Sequence, residues 1–329
     1  MSGRKEHDQL IQDKIQDFLK DKPKYLVNYY DTLWKKTATT KRQYLYDVWR
    51  FLEYIKREYN VNINHARDVS YVKPTVIETY LGYIDVKNVT KARIYYSIRN
   101  FYDFFVKDDK IVNNPCNKIE PPRDNEIHEV TYLTEDEIHL LLRNVKNSAQ
   151  PNKYGEPQNK WYLRDYLFLV LALSTGMRVS SILEINLRDI DYKEKYIRIV
   201  QKGNKELNVR ISDEILDVID AWIDEQEYLL GITRYKDAPL FCGSRGNRWD
   251  ETSVNRMIKK YTFNIDKKIT AHKLRATCAT NIIKKTGNIY LASQRLGHSN
   301  VETTKRYATI DEEMEQKAVD AMDSVLFDL

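Results

Sequence analysis

The N-terminal third of the chain repeats apolar residues at helical spacing. The segments that place them every three or four positions, and therefore on one helical face, are 8–20, 39–57, 74–84 and 90–106. Pro23 ends the first segment. Pro74 opens the third, at the first helical position that proline favours because its missing amide hydrogen is not needed there. The pattern predicts an all-helical N-terminal region.

Breaks in this pattern indicate a domain boundary. Asn113-Asn114-Pro115 stops the last of these helices, and Pro121-Pro122-Arg123-Asp124-Asn125 is typical of an extended linker. Thr134 and Glu137 have the spacing of a capping box, which begins a new helix. We predict an N-terminal extension with a short amphipathic helix (1–24), a helical domain (25–115), a linker (116–131), a second domain (132–310) and a C-terminal tail (311–329).

In the second domain the pattern changes from helical spacing to alternation and back. An apolar run at 162–173 predicts a helix, and two alternating segments, 196–200 and 207–211, flank the turn Lys202-Gly203-Asn204 as in a β-hairpin. Further helices are expected at 212–230, 252–261, 271–285, 289–296 and 301–308. The predicted fold class is mainly α with a small antiparallel β-sheet.

Charge is distributed unevenly between the tail and the rest of the chain. The chain has 53 basic and 48 acidic side chains, and residues 311–329 contain one of the basic and seven of the acidic ones. Residues 1–310 therefore have 52 basic and 41 acidic side chains, a net charge of +11. The basic residues on the predicted N-terminal helices include Lys41, Arg42, Lys91, Arg93 and Arg99. A basic body suits a polyanionic partner such as nucleic acid, although a general richness in lysine gives the same balance.

Composition argues against several other classes of protein. No apolar run is long enough to span a membrane, and the first residues lack the apolar core of a signal peptide, so we expect a cytoplasmic protein. Cys116, Cys242 and Cys278 are odd in number and widely spaced, which argues against a disulfide framework or a structural zinc site. The sequence has no P-loop and no convincing carboxylate cluster for two-metal chemistry.

Residues suited to phosphodiester chemistry recur in the second domain. They lie in Thr175-Gly176-Met177-Arg178, in His272-Lys273-Leu274-Arg275, in Leu296-Gly297-His298 and at Tyr307. Arginines bind the non-bridging oxygens of a phosphate, histidines hold or move protons near neutral pH, and a tyrosine hydroxyl can form a covalent phosphate ester. Each residue is ordinary by itself, since an arginine at a helix end or a histidine after glycine is common on protein surfaces. The order and spacing together are specific.

This order resembles that of the tyrosine recombinases, also called the phage integrase family. Members have Arg, Lys, His-x-x-Arg, His and Tyr in sequence, and the matching residues are Arg178, Lys202, His272, Arg275, His298 and Tyr307. The resemblance extends from about residue 25 to the end of the chain. Many members have another histidine directly after the second arginine, where this chain has Ala276, but that position is a supporting one.

The resemblance implies a role for each matching residue. Arg178 and Arg275 hold the phosphate and stabilise the transition state, His272 assists proton removal from the nucleophile, and His298 hydrogen-bonds the phosphate. Lys202, at the hairpin turn, is the general acid that protonates the leaving 5′ oxygen. Lys205 competes with it on the same turn.

The nucleophile has to be chosen among 24 tyrosines. Tyr261 and Tyr290 are the nearest rivals of Tyr307. Only Tyr307 lies on a short predicted helix after the Leu-Gly-His turn, at the spacing of the family. The resemblance therefore assigns the nucleophile to Tyr307.

The implied activity is that of a site-specific recombinase, an enzyme that cuts and rejoins DNA through a 3′-phosphotyrosyl intermediate and a Holliday junction. The two domains then form a DNA clamp, with a helical core-binding (SAM-like) domain and a catalytic domain. Because the ester stores the bond energy, neither a cofactor nor a metal is expected. The compact layout is most similar to that of Xer-type dimer-resolution enzymes, and integration or excision of a mobile element is the alternative role.

The implied partners are double-stranded recombination sites and three further copies of the chain. Apolar residues on one face of the predicted tail helix are Met314, Ala318, Ala321, Val325 and Leu329. In recombinases such a helix docks in a neighbouring subunit and couples a tetramer, whereas a helix that caps its own domain has the same pattern. The family also leaves room for an accessory protein that sets direction or regulates exchange.

Two other functions compete with recombination. A type IB topoisomerase shares the tyrosine chemistry but relaxes supercoils as a monomer, and the amphipathic acidic tail argues against it. The third possible function is that of a non-catalytic DNA-binding regulator derived from a recombinase. The complete set of six matching residues argues against this function.

Overall fold

Two units, Met1–Ile127 and His128–Leu329, each surround a hydrophobic core of their own. The structure is a computed structural model and describes residues 3–123, 130–151, 158–201, 205–231, 235–297, 300–305 and 307, with the backbone alone for residues 3–7, 201 and 205. The predicted tail helix, residues 311–329, lies outside the described residues.

Helices make up the described part of the N-terminal unit. They are α1 (Gly3–Leu19), α2 (Lys24–Thr32), α3 (Ala38–Tyr59), α4 (Ala66–Ser70), α5 (Pro74–Tyr83) and α6 (Asn88–Lys107), followed by a 3₁₀ turn (Pro115–Lys118). The four helices expected from apolar spacing correspond to α1, α3, α5 and α6. The sequence analysis missed α2 and α4, which have nine and five residues and are too short to establish a periodic pattern.

Aromatic side chains fill the core of this unit. Phe51, Phe101 and Phe105 are fully buried, and the rings of Tyr29 and Phe101 meet edge to face with centroids 5.2 Å apart. Buried tyrosine hydroxyls bond to backbone carbonyls of the connecting segments, as from Tyr25 to the carbonyl of Ile63 at 2.6 Å. Each such bond satisfies a polar group inside the core, so the tyrosines also hold the loops to the helices.

The C-terminal unit combines helices with one small sheet. Its described elements are α7 (Glu135–Asn147), α8 (Tyr162–Thr175), α9 (Val179–Leu183), a 3₁₀ turn (Leu187–Asp189), β1 (Ile190–Asp191), β2 (Tyr196–Gln201), β3 (Lys205–Arg210), α10 (Asp213–Leu230), α11 (Glu251–Tyr261), α12 (Ala271–Thr286), α13 (Ile289–Leu296) and α14 (Glu302–Lys305). The capping box is present at the start of α7, with both of its hydrogen bonds between Thr134 and Glu137. The predicted fold class is confirmed.

The sheet has the order β1-β2-β3 with antiparallel neighbours. Ile197 stands opposite Ile190 on one side and Val209 on the other, and all three side chains are buried. The hairpin was predicted, but β1 has only two residues and shows no alternation that could reveal it. The sheet therefore contributes one apolar face to the core of this unit.

Helix α8 runs through that core and is buried on most of its circumference. Leu167, Phe168, Leu169 and Leu171 are fully buried, and α8 packs against both α10 and α12. A helix that is apolar all round belongs in the interior of a domain. Its C-terminal end therefore has a fixed position from which the chain turns into α9.

None of the described helices is both long and apolar enough to cross a lipid bilayer. Cys116, Cys242 and Cys278 are buried, and the described residues contain no disulfide bond.

Candidate active site

A glycine turn at the end of α8 positions Arg178. Gly176 is the C-cap of α8 and has a φ of +61°, in the left-handed region that glycine adopts without strain. The hydroxyl of Thr175 accepts a hydrogen bond from the amide of Met177 at 3.2 Å and stiffens the turn. Arg178 follows as the N-cap of α9, with an exposed side chain. The turn thus presents the Arg178 guanidinium at the surface of the unit.

Arg275 on α12 is bonded to this turn from inside the protein. Only 4% of its surface is exposed. One terminal nitrogen, Nη1, donates to the carbonyl of Gly176, and the other, Nη2, donates to the carbonyl of Leu296 at 3.0 Å. The guanidinium therefore ties the α8–α9 turn to the end of α13. His272 lies one turn earlier on α12 with an exposed side chain.

Electrostatics place Arg178 and Tyr307 close to Arg275. Burial, and then the positive charge of Arg178, lower the pKa of Arg275 to about 10, and the neighbouring Tyr307 partly offsets these two effects. A pKa of that size leaves the guanidinium charged at neutral pH. Two like charges held together form a site that is most stable when an anion binds between them.

Tyr307 is seated against α12 and α13. Its exposed fraction is 4%, and it belongs to a buried cluster with Ala276, Ala279, Leu296 and others. Its amide donates to the carbonyl of Thr304 in α14 at 2.9 Å, which ties the backbone of Tyr307 to that helix. Ala276, the position where many family members have histidine, is therefore part of the surface on which the tyrosine rests.

The structure brings together Arg178, Arg275 and Tyr307 and places His272 on the helix of Arg275. Lys202 and His298 lie outside the described residues. For Lys205, the competitor of Lys202, the backbone is paired with that of Gln201 in the hairpin. The assignment of the general acid and of the last histidine therefore stays a prediction.

Tyr261 and Tyr290, the two alternatives to Tyr307, lie in environments that differ from that of Tyr307. The hydroxyl of Tyr261 donates to Asp165 at 3.0 Å and accepts from Asn159 at 2.7 Å. Burial, and then the charge of Asp165, raise the pKa of Tyr261 to about 12. Tyr290 is 70% exposed on α13. Neither contributes to the charge environment of Arg275, whereas Tyr307 does.

Sequence reasoning missed Arg295 as a residue that shapes this region. From α13 its guanidinium donates to the carbonyl of Ser174 at 3.1 and 3.3 Å and to the carbonyl of Arg210 at 2.9 Å. Burial lowers its pKa. It joins the end of α8 to the end of β3, and only the tertiary structure reveals which carbonyls it meets.

Gly176→Ala is expected to destabilise the protein and to disturb the site. A Cβ at this position lies 2.5 Å from Leu296 Cδ2 and 3.1 Å from Cys278 Sγ, and the φ of +61° adds backbone strain. We expect a loss of about 2–4 kcal/mol in the free energy of unfolding, measured by urea denaturation. Gly231→Ala is the matched control, because Gly231 has a φ of +64° with nothing within 4 Å. It should lose only about 1–2 kcal/mol, and equal losses would contradict the close packing at Gly176.

Comparison with known proteins supports the same reading. The sequence model of the phage integrase family matches residues 131–314. Tyrosine recombinase XerC of Caldanaerobacter subterraneus subsp. tengcongensis is 28% identical over 315 residues, which cover 89% of this chain and 84% of that protein. The chain therefore belongs to the phage integrase family, the tyrosine recombinases, which are DNA strand-transferring enzymes.

Solved structures share the fold. The XerH site-specific recombinase bound to palindromic difH substrate, a post-cleavage complex, has a TM-score of 0.67 at 20% identity over 87% of this chain and 81% of that one. A lambda integrase tetramer bound to a Holliday junction has a TM-score of 0.63 at 17% identity over 88% of this chain and 78% of that one. The resemblance drawn from the sequence is confirmed.

Proposed function

We propose that this protein is a site-specific recombinase that exchanges strands between two DNA sites through a 3′-phosphotyrosyl intermediate and a Holliday junction. The observation that carries the proposal is the buried Arg275, which is bonded to the turn before Arg178 and lies within electrostatic reach of Arg178 and Tyr307. Two arginines beside one tyrosine suit a phosphodiester that is attacked by the phenol oxygen.

In the cleavage step the Tyr307 oxygen attacks the phosphorus and the bond from phosphorus to the 5′ oxygen breaks. His272 takes the phenol proton, directly or through water, and Lys202 gives a proton to the leaving 5′ oxygen. Arg178 and Arg275 neutralise the non-bridging oxygens, where charge accumulates in the transition state. His298 adds a hydrogen bond to the same phosphate.

In the joining step these roles reverse. The 5′ hydroxyl of the partner strand attacks the phosphotyrosyl ester, a proton returns to the phenol oxygen, and Tyr307 is released. One phosphodiester is exchanged for another of similar energy, so the reaction needs no nucleotide hydrolysis. Two rounds of exchange, one per strand pair, form and then resolve the junction.

Four subunits on two duplexes suit this sequence of steps. The lambda integrase tetramer on a Holliday junction is a protein of the same fold in such an assembly. We assign the amphipathic tail, residues 311–329, to the contact between neighbouring subunits. The similarity to XerC favours a Xer-like role in resolving chromosome dimers over integration or excision of a mobile element.

A plasmid carrying two directly repeated copies of a genomic fragment selected by binding to this protein tests the proposal. Incubated with the wild-type protein in EDTA, the plasmid should yield two smaller circles together with branched junction intermediates. Relaxation of supercoils without circles would support a type IB topoisomerase instead. Binding without cleavage or relaxation would support the non-catalytic regulator.

A further inference from the structure

A buried carboxylate lies between α3 and α6 in the N-terminal unit. Asp47 is only 1% exposed. Its oxygens accept hydrogen bonds from Gln43 Nε2 at 3.0 Å, from Ser97 Oγ at 2.8 Å and from the guanidinium of Arg93. An ionised carboxylate inside a protein is strongly unfavourable unless it is bonded in this way. A fully apolar contact at this position would be the simpler means of packing two helices.

Arg93 is the only member of this network that combines a charge with solvent access, since 38% of its side chain is exposed. The guanidinium has five N–H donors and directs Nη1 to Asp47. Among the described residues, Nε and Nη2 donate to no other group, so their donors can bind a ligand in solution. Because the carboxylate is fixed, the orientation of the planar guanidinium is fixed as well.

The helix register shows which end of the unit Arg93 occupies. Asp47 of α3 meets Arg93 and Ser97 of α6, and one turn further Phe51 meets Tyr102 with ring centroids 6.5 Å apart. From the first contact to the second, the residue number increases along both helices, so α3 and α6 run in the same direction. The first turns of both helices and the α2–α3 connection therefore lie at one end of this unit.

Basic residues are concentrated at that end, which we call the basic end. Besides Arg93, its members are Lys35, Lys36, Lys41, Arg42, Lys87 and Lys91. Trp34 is 70% exposed in the same turn, and the Lys35 ammonium lies 4.8 Å from the centre of its ring. The opposite end is mixed in charge, with Arg57 paired to Glu58 and Lys110 close to Asp108.

We propose that Asp47 is a positioning residue that aims the Arg93 guanidinium at a phosphate of the DNA. The lysines supply a field that attracts a polyanion, and the exposed indole can pack against sugar or base edges beside it. Phosphate contacts of this kind set the register of a protein on DNA. The proposal deepens the function proposed above and rests on it, because DNA is its partner.

The change in DNA affinity on replacing Asp47 distinguishes a positioning role from a purely electrostatic effect, because the two predict changes of opposite sign. Asp47→Asn removes a negative charge, so electrostatics alone predicts tighter binding to DNA. Asparagine keeps one acceptor oxygen but no charge, so its bond to Arg93 is weaker and the guanidinium is held less firmly. Ordering the Arg93 side chain on binding then costs affinity. We expect Asp47→Asn to bind a random-sequence duplex about 2- to 10-fold more weakly than the wild-type protein, measured by fluorescence anisotropy on the full-length chain.

Arg93→Ala should weaken binding about tenfold and make the plot of log affinity against log salt shallower by about 1. Lys56→Ala, an exposed change at the opposite end of α3, is the matched control and should leave the affinity within about twofold. If Arg93→Ala behaves like Lys56→Ala, the basic end does not contact DNA. If Asp47→Asn binds as tightly as the wild-type protein or tighter, Asp47 is not a positioning residue.

The double variant Asp47→Asn/Arg93→Ala distinguishes positioning from loss of folding. If Asp47 acts through Arg93, Asp47→Asn should have no further effect on affinity in the Arg93→Ala background. A general folding defect would lower affinity in both backgrounds and would overturn the proposal. Covalent adduct formation at saturating protein should be unchanged in Lys56→Ala, the control outside the basic end. If the wild-type protein forms no covalent adduct but the variants change DNA affinity as expected, the proposed recombinase function is contradicted. The role of Asp47 and Arg93 in DNA binding is then still supported.

Discussion

Tyr307→Phe is expected to abolish formation of the covalent protein–DNA adduct while DNA binding persists. Phenylalanine keeps the ring that packs with Ala276, Ala279 and Leu296, so the fold around α12 and α13 should be retained. It removes the oxygen that attacks the phosphorus, for which neither arginine can substitute. We expect the rate of adduct formation to fall by a factor on the order of 10⁴ or more.

The assay uses a duplex nicked beside the cleavage position, so that the released fragment diffuses away and the adduct accumulates on a denaturing gel. Tyr261→Phe and Tyr290→Phe are the controls. Tyr261→Phe loses bonds to Asp165 and Asn159 and should cost about 1–2 kcal/mol of stability with little change in adduct formation. Tyr290→Phe alters an exposed residue and should change neither. An undiminished adduct in Tyr307→Phe would remove Tyr307 from the mechanism.

Arg275→Lys is expected to reduce adduct formation about 10²- to 10³-fold although the charge is retained. The Arg275 guanidinium bonds two carbonyls, of Gly176 and Leu296, while lying beside Arg178 and Tyr307. An ammonium group cannot reach both carbonyls in the same planar geometry. At least one of the two buried carbonyl oxygens then loses its hydrogen-bond donor. The phosphate also loses a donor that is held in a fixed position.

Arg295→Lys is the matched control for this change. Arg295 is also partly buried and also bonds backbone carbonyls, those of Ser174 and Arg210. A comparable loss of stability is therefore expected in both variants, and urea denaturation measures it. Adduct formation should fall by no more than about tenfold in Arg295→Lys, because we give this residue no phosphate contact. If both variants lose activity equally, Arg275 acts through structure alone.

The long helices could be predicted because apolar spacing is a local property. Helices α3 and α6 bury a continuous stripe of side chains, so their positions follow from the sequence alone. The capping box of Thr134 and Glu137 is likewise local. The two-residue strand β1 and the five-residue helix α4 have no such signature, because tertiary contacts rather than local preference determine them.

The candidate site could be predicted only in part for a related reason. The order and spacing of Arg178, Arg275 and Tyr307 can be read from the sequence, and the resemblance to a family assigned a role to each. The hydrogen bonds from Arg275 to Gly176, 99 positions away, and from Arg295 to Ser174, 121 positions away, depend on how α8, α12 and α13 pack. The buried Asp47 escaped notice because a carboxylate on a helix is ordinarily solvated.

Identification of the residue bonded to DNA tests the central claim most directly. The wild-type adduct, formed in EDTA on the nicked duplex, is digested with nuclease and trypsin and analysed by mass spectrometry. The three candidate tyrosines fall on separate tryptic peptides, 261–267, 286–295 and 307–317. We predict a nucleotide linked through phosphate to Tyr307 in the last of these. A nucleotide on Tyr290 or Tyr261, or on any residue other than Tyr307, would contradict the account.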